Sequence, residues 1–489
     1  MTEAKENFNK TALLTLSRVF GIIFSFAIPM YLGRTLEVTD YGTYKQIMLF
    51  YWFAQVGLNF GLDDSVYYLI RWKPEKYALY SFNALIFNLS LSGLIAALFI
   101  FFRDPISLAL NNPDLAQYIP LLSLLLVLTI CSMQVEGVLV GLNRLKERVY
   151  LEMGMELLKA IAILSAFVFF NSIMMVLVFL CLLMSFRFAL TILLNLQSKK
   201  QNQLSYKDAG EFWRQQLAFG LPLGIARILQ NLFNLEKLLI SSFFSMKQFT
   251  YYTVGCFENP FINAVQASFY EMANIEMVDA VKNKRYDLAL ELWRNMMRKL
   301  MLVMIPFIVY MTFFAQEIIV FIFSDRYLSS VPFFIAFNFT VFAAAFNPEP
   351  LFRATSKNHL ALKLKLIGLS LGGILLVLVA LNSSPINVLI GKGVIFLIIN
   401  FIGLHLGARL IDASFIKLFR WKELFGVILV SVLLSGLLKL CLGNLSWHPF
   451  WTLALSFSLY VPSHFLLSYL FRLIQKDELD HLRSLLKKA

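Results

Sequence analysis

The chain is poor in the residues that build metal centres, disulfide scaffolds and soluble surfaces. Four cysteines occur in 489 residues. Cys131, Cys181 and Cys441 lie in apolar runs and Cys256 in an expected helix, with no CxxC and no His–Cys cluster. Neither a thiolate metal site nor a disulfide framework is supported. The five histidines are dispersed. No Walker-type phosphate loop and no catalytic constellation is legible, and an enzyme is not expected. Charged residues make up only 15% of the chain and hydrophobic ones 59%. A soluble domain of this size could not bury so much apolar surface.

What is present is a series of apolar runs, each long enough to cross about 30 Å of hydrocarbon as a helix. About fourteen spans are expected by length, over 12–33, 44–64, 79–102, 117–142, 149–170, 172–195, 217–243, 250–273, 300–323, 329–350, 361–382, 386–408, 423–442 and 450–472. The second and eighth carry several polar residues, which implies burial within a bundle. The fold class is therefore all-α, a polytopic membrane protein. The start, MTEAKENFNKTALL, has no small-residue cleavage site after a short apolar core, so the first run is expected to stay as a helix.

The net charge of +13 is placed asymmetrically. One alternating set of loops is basic, including Arg71, Lys73 and Lys76; Arg144, Lys146 and Arg148; Lys282, Lys284 and Arg285; and Arg409, Lys417 and Arg420. The other set holds little beyond Arg34, Lys45, Arg103, Lys247 and Arg326. By the positive-inside rule both termini are cytoplasmic, and the charge is explained without nucleic acid. The stretches 279–299 and 473–486 have amphipathic spacing, which fits either interfacial helices or extensions of neighbouring spans.

Shifting the chain by about 208 residues lays spans one to six over spans seven to twelve, giving two parallel repeats. Tyr44 then falls on Tyr252. The expected division is a six-helix lobe at 1–196, a cytoplasmic linker at 197–213, a second six-helix lobe at 214–410, two further helices at 411–474 and a cytoplasmic tail at 475–489.

Charge inside a span costs several kcal/mol unless paired or hydrated. The cations in spans include Arg18, Lys159, Arg187 and Arg227, and the acids include Glu136, Glu236 and Glu258. Glu156 and Lys159, three residues apart, have the spacing of a local pair, and Arg187 has the reach to snorkel. Arg18 and Arg227 lie well inside the first helix of each repeat, and Lys159 lies near the middle of the fifth span. Arginine forks grip phosphate and lysine adds a mobile point charge. These four cations are the candidate lining of an anion-binding cavity, with Glu136, Glu236 and Glu258 as pairing or coupling acids. The competing reading is an internal salt-bridge network with Glu136 as a partner.

Three stretches carry a family resemblance: LGRTLEVTDYGTYKQ at 32–46, FGLPLGIARILQNLFNLEKLLISSFF at 219–244 and FIFSDRY at 321–327. Together with the doubled six-helix plan plus two helices, they resemble the polysaccharide transporter branch, which includes the O-antigen flippases, of the multidrug/oligosaccharidyl-lipid/polysaccharide exporter superfamily. Glu236 stands where the branch often has aspartate, and Thr250-Tyr251-Tyr252 replaces the second Tyr-Gly turn. The resemblance implies a flippase in the bacterial inner membrane that carries an undecaprenyl-pyrophosphate-linked oligosaccharide to the outer leaflet by alternating access. It also implies an H+ or Na+ coupling ion, no other cofactor, and membrane lipids and polysaccharide polymerase machinery as partners. A multidrug or cation exporter of the same superfamily would favour an acidic cavity. A membrane-embedded O-antigen polymerase or ligase would need a large exterior loop. A lipid II flippase is a close relative of the first reading.

Overall fold

The computed structural model describes residues 24, 26–58, 60–201, 209–257, 259–443 and 447–474, and the regular elements among them are all helical. The chain divides into two compact units, Met1–Thr250 and Tyr251–Ala489. The first contains α1 (26–35), α2 (Val38–Leu58), α3 (Leu62–Trp72), α4 (Tyr77–Phe101), α5 (Arg103–Ala109), α6 (Ile119–Gly141), α7 (Leu145–Phe170), α8 (Ile173–Gln201), α9 (Ala209–Asn231) and α10 (Leu235–Phe243). The unit boundary falls inside α11 (Met246–Gly255). The second contains α12 (Pro260–Lys282), α13 (Tyr286–Phe313), α14 (Ala315–Ile322), α15 (Val331–Ala344), α16 (Glu349–Ala354), α17 (Asn358–Asn382), α18 (Pro385–Leu410), α19 (Trp421–Leu442) and α20 (Pro449–Leu470). Residues 214–250, which the repeat places in the second lobe, thus fall by contact in the first unit.

Ten described helical segments are long and apolar enough to cross a membrane. They correspond to the third to sixth and ninth to fourteenth expected spans. The first span lies largely outside the described residues. The second, seventh and eighth are interrupted, and each break has a local cause. α2 stops before Phe60-Gly61, where Gly61 adopts a left-handed φ of 71°. The seventh passes through a 3-10 turn at Leu232–Asn234. The eighth restarts at Pro260, whose missing N–H suits the first helical position, with Asn259 Oδ1 accepting from Phe261 N at 3.0 Å.

In the first unit α6 is the central helix, packed by α2, α3, α4, α7 and α8. Apolar side chains are distributed all around it, as on a surrounded helix, with Ser123, Gln134 and Glu136 among them. Several polar groups buried nearby are bonded, whereas Ser123 Oγ and the Gln134 amide have no partner among the described residues. Gln46 of α2 donates to Leu110 O and to Ser241 Oγ, both at 2.7 Å, and its own Oε1 accepts from Asn112 Nδ2 at 2.7 Å. These bonds tie α2, the 110–112 turn and α10 at one end of the unit.

The FGLPLG stretch has a packing reason. Gly220 and Gly224 lie one turn apart on α9 and face the backbone of Phe60 and Gly61. A Cβ at Gly224 would run into the Phe60 backbone, and one at Gly61 would meet Gly220 O. Tyr41-Gly42, expected as a turn before the second span, lies inside the first turns of α2; its glycine is explained likewise, since a Cβ at Gly42 would strike Thr250 Oγ1 and Met246 Sδ. Close backbone approach, and not flexibility, is what these glycines supply.

In the second unit α13 is central, packed by α12, α15 and α19. It starts at Tyr286, well before the expected span at 300. Trp293, Met297, Leu300 and Met304 are buried in its core cluster. The amphipathic stretch at 279–299 is thus divided between the end of α12 and the start of α13, an extension of the ninth span whose Trp293 and Met297 pack inside the unit. α15 and α16 are separated by a break at 345–348. Two carbonyls there are satisfied by neighbours, Ala345 O by the Tyr270 hydroxyl at 2.8 Å and Ala343 O by Asn400 Nδ2 at 3.0 Å. Irregular backbone at membrane depth requires such partners.

We expect Gly224→Ala to destabilise the protein by about 1–3 kcal/mol, as overpacking does. Gly93, whose Cβ would meet nothing within 4 Å, is the control. Thermal unfolding in detergent checks this: Gly224→Ala should melt early and Gly93→Ala should not.

Candidate functional site

Two constellations, one in each unit, hold the chemistry. In the first unit, charge is distributed as ion pairs on the faces of α3, α6, α7, α8 and α9. Arg187 of α8 pairs with Glu136 of α6, and its side chain is only 12% exposed. Arg148 of α7 lies 3.5 Å from the other Glu136 oxygen and 2.8 Å from Glu152. Two arginines and two glutamates thus brace three helices with no net charge. Arg227 pairs with Asp64 at 2.5 Å, with side chains 42% and 36% exposed. Lys159 stands 3.9 Å from Glu156, with side chains 42% and 55% exposed. The Tyr51 hydroxyl of α2, bonded to Thr129 Oγ1 at 2.8 Å, is within electrostatic reach of Arg187 and Glu156.

In the second unit, a groove of about 1220 Å³ runs between α12, α13 and α20. Its walls are apolar over most of their length, with Phe261, Leu302, Phe307, Phe457 and Val461. Asn295, Arg298 and Lys299 form its polar end, at the basic-loop side of α13. One wall of α20 presents Tyr460, His464 and Ser468 at four-residue spacing. The Tyr460 hydroxyl donates to Pro306 O at 2.9 Å, and His464 Nε2 lies 3.0 Å from Ser431 Oγ. A long apolar channel with a cationic end can take a molecule that is mostly hydrocarbon and anionic at its head.

The polysaccharide biosynthesis protein family matches residues 31–332, more than half of the chain. The chain belongs to that family. The family assignment agrees with the architecture. The structure of a protein described as the lipid II flippase MurJ, in an inward closed conformation, aligns over 95% of this chain and 98% of its own, with a TM-score of 0.68 and 13% identity. An inward-facing multidrug resistance MATE family transporter of the MOP superfamily aligns over 82% and 94%, with a TM-score of 0.56 and 12% identity. At these identities the likeness is one of fold. Among curated protein sequences none matches. This family member is a multi-pass membrane protein with the fold of flippases and transporters.

The sequence-predicted site residues fall into distinct settings in this polysaccharide biosynthesis protein. Arg18 and Glu258 lie outside the described residues. Lys159, Arg187 and Arg227 each face a carboxylate. The local Glu156–Lys159 pair forms as the spacing implies. The Arg187 guanidinium is held by Glu136, the partner named by the salt-bridge reading. Among the described cations of the set, Arg227 and Lys159 have more exposed side chains than Arg187. Glu236 is buried at the start of α10. Sequence reasoning missed Arg298 and the groove. Arg298 was placed before the ninth span, whereas α13 begins at Tyr286 and carries it inside the unit. One nucleophile-like pattern, Gly368-Leu369-Ser370-Leu371-Gly372, fits G-x-S-x-G but was not singled out from the sequence. It lies within α17, where Ser370 Oγ donates to Leu366 O at 2.9 Å, and has no strand-to-helix elbow.

Removing one partner of a buried pair leaves the other uncompensated. Glu136→Gln should destabilise the protein by about 3 kcal/mol, and Glu136→Gln combined with Arg187→Met should recover part of that. Thermal unfolding of the two variants in detergent checks this; equal losses in both would show that the pair has no such role.

Proposed function

We propose that this protein is a flippase for a saccharide carried on undecaprenyl pyrophosphate, moved from the cytoplasmic to the outer leaflet of a bacterial inner membrane by alternating access. The observation that carries this reading is the groove of about 1220 Å³, apolar along its walls and cationic at one end. Polyprenyl lipid with an anionic head matches that polarity. A cationic drug does not, because its charge would meet Arg298 and Lys299. The family match and the fold support the same class. The basic loops orient both termini to the cytoplasm, so the cationic end of the groove faces the leaflet in which the lipid-linked unit would be made.

In this scheme Arg227 and Lys159 act within the first unit, at a step separate from occupancy of the groove, by exchanging their carboxylates, Asp64 and Glu156, for oxygens of the pyrophosphate. A bidentate phosphate contact is stronger than an exposed ion pair. Arg18 serves with them in the same role. The freed carboxylates are then available to an H+ or Na+ that couples transport to a gradient, and the exported unit passes to polymerase machinery.

Complementation of a glycan-export-deficient strain tests this. Arg227→Ala and the groove-filling Val461→Trp should each lower surface glycan at least about tenfold, the effect of roughly 1.4 kcal/mol, at unchanged membrane abundance. Wild-type glycan levels in Arg18→Ala combined with Arg227→Ala would overturn the cationic-cavity reading. A chain that restores no glycan but confers resistance to cationic drugs would favour the exporter instead.

A further inference from the structure

The groove in the second unit has one wall residue whose charge changes near neutral pH in the ordinary course, His464. It is buried on α20, and its hydrogen bonds fix where its proton sits. Ser431 Oγ of α19 donates to Val427 O at 2.6 Å, so it accepts from His464 Nε2 at 3.0 Å. The neutral ring therefore keeps Nδ1 bare, and Ser468 Oγ, 3.4 Å away, donates to it. When Nδ1 takes a proton, the Ser468 hydroxyl turns and accepts from it. The serine's own proton then has the His464 carbonyl, one turn back, within reach. The ring can charge with its hydrogen bonds kept.

Its position along the groove gives that proton a use. α13 and α20 run antiparallel: Tyr460 donates to Pro306 O at 2.9 Å, and Arg298 donates to Leu473 O at 3.2 Å. His464 lies between these crossings, one turn beyond Tyr460, where the apolar walls give way to Asn295, Arg298 and Lys299. The Tyr460 ring is 5.7 Å from the imidazole. α19 contributes the uncharged Ser431 and Ser435, with Glu423 and Lys439 about two turns to either side of Ser431. Glu423 engages Arg298 and Arg420, and Lys439 pairs with Glu317 of α14. α12 contributes Phe261 and Phe269 to the wall. The charges that share the groove with His464 are thus the cations of α13, and a charged imidazole in the empty groove faces like charge. An anionic head resting among Arg298, Lys299 and His464 turns that repulsion into attraction.

We propose that His464 is a proton-binding residue of the groove that is protonated as the anionic head of a prenyl-linked cargo arrives, so that proton and cargo bind cooperatively. The proposal rests on the groove being the cargo's path. The proton comes from solvent at the cationic end and adds to the Nδ1 lone pair, and no covalent bond of the protein breaks. By reciprocity, a proton on Nδ1 tightens the hold on the head, and the head tightens the hold on the proton. Loss of the proton then weakens the grip on the cargo.

Isothermal titration of the full-length protein in detergent tests this, with farnesyl diphosphate and farnesyl sulfate as separate probes. The sulfate head stays ionised throughout, so a proton taken up on its binding belongs to the protein. Heats measured in two buffers of different ionisation enthalpy count that proton. The wild type should take up protons with the sulfate. His464→Gln, whose amide still reaches both serines, should take up fewer. Between about pH 8 and about pH 6 the wild type's affinity for the diphosphate should gain at least about fivefold more than the variant's. A wild type that binds the sulfate without proton uptake would overturn the assignment, whatever the variant's stability. Equal uptake and equal pH response in the two proteins would overturn it too, and either result leaves the groove as the cargo path. A wild type that binds neither probe at either pH would remove the groove from that path, and the proposal with it.

Discussion

A guanidinium or ammonium group between apolar helices must find negative charge, and the spacing of that charge shapes both units of this protein. In the first unit the requirement is met locally. Glu136 holds Arg187 and also stands near Arg148, so α6, α7 and α8 are joined by one network. Asp64 and Glu156 each hold one cation in a more open setting. In the second unit Arg298 of α13 and Arg420 at the start of α19 share Glu423. A buried pair of this kind roughly breaks even against its desolvation cost.

The second constraint is close packing where helices break. α2 ends before Gly61, and α9 brings Gly220 and Gly224 onto that break. The seventh span can lie against it only because these positions lack side chains. The break between α15 and α16 is handled differently, by the Tyr270 hydroxyl and the Asn400 amide. Discontinuous helices are a recurring feature of transporter folds, and their presence in both units is consistent with the family and fold.

Much of this architecture was legible in the sequence, because hydrophobic runs of fixed length report spans directly. Continuous helices such as α4, α6 and α18 lie within a few residues of their expected ranges. The interrupted spans were harder to read: apolar content continues through Phe60-Gly61 although the backbone does not. Pairing was legible only at short range. Glu156 and Lys159 sit three residues apart, so their contact follows from helix geometry. Arg187 and Glu136 are 51 positions apart in sequence, and Arg227 and Asp64 lie on different helices, so only tertiary packing reveals either pair. The groove was hidden for a related reason. Starting the ninth span at 300 left Trp293, Met297 and Arg298 in a stretch whose spacing also fits an interfacial helix. The resemblance of FGLPLG to its family was visible at once, but its physical cause required the position of Phe60.

The central claim is that the protein moves an anionic polyprenyl-linked saccharide across a bilayer. Its most direct test is reconstitution of the purified protein into liposomes with a fluorescent, short-chain prenyl-diphosphate oligosaccharide, scoring leaflet exchange by a membrane-impermeant quencher. The account predicts exchange that requires the protein and that declines when an unlabelled prenyl diphosphate competes. Protein that leaves the labelled lipid in its original leaflet while exporting a lipophilic cation would contradict it.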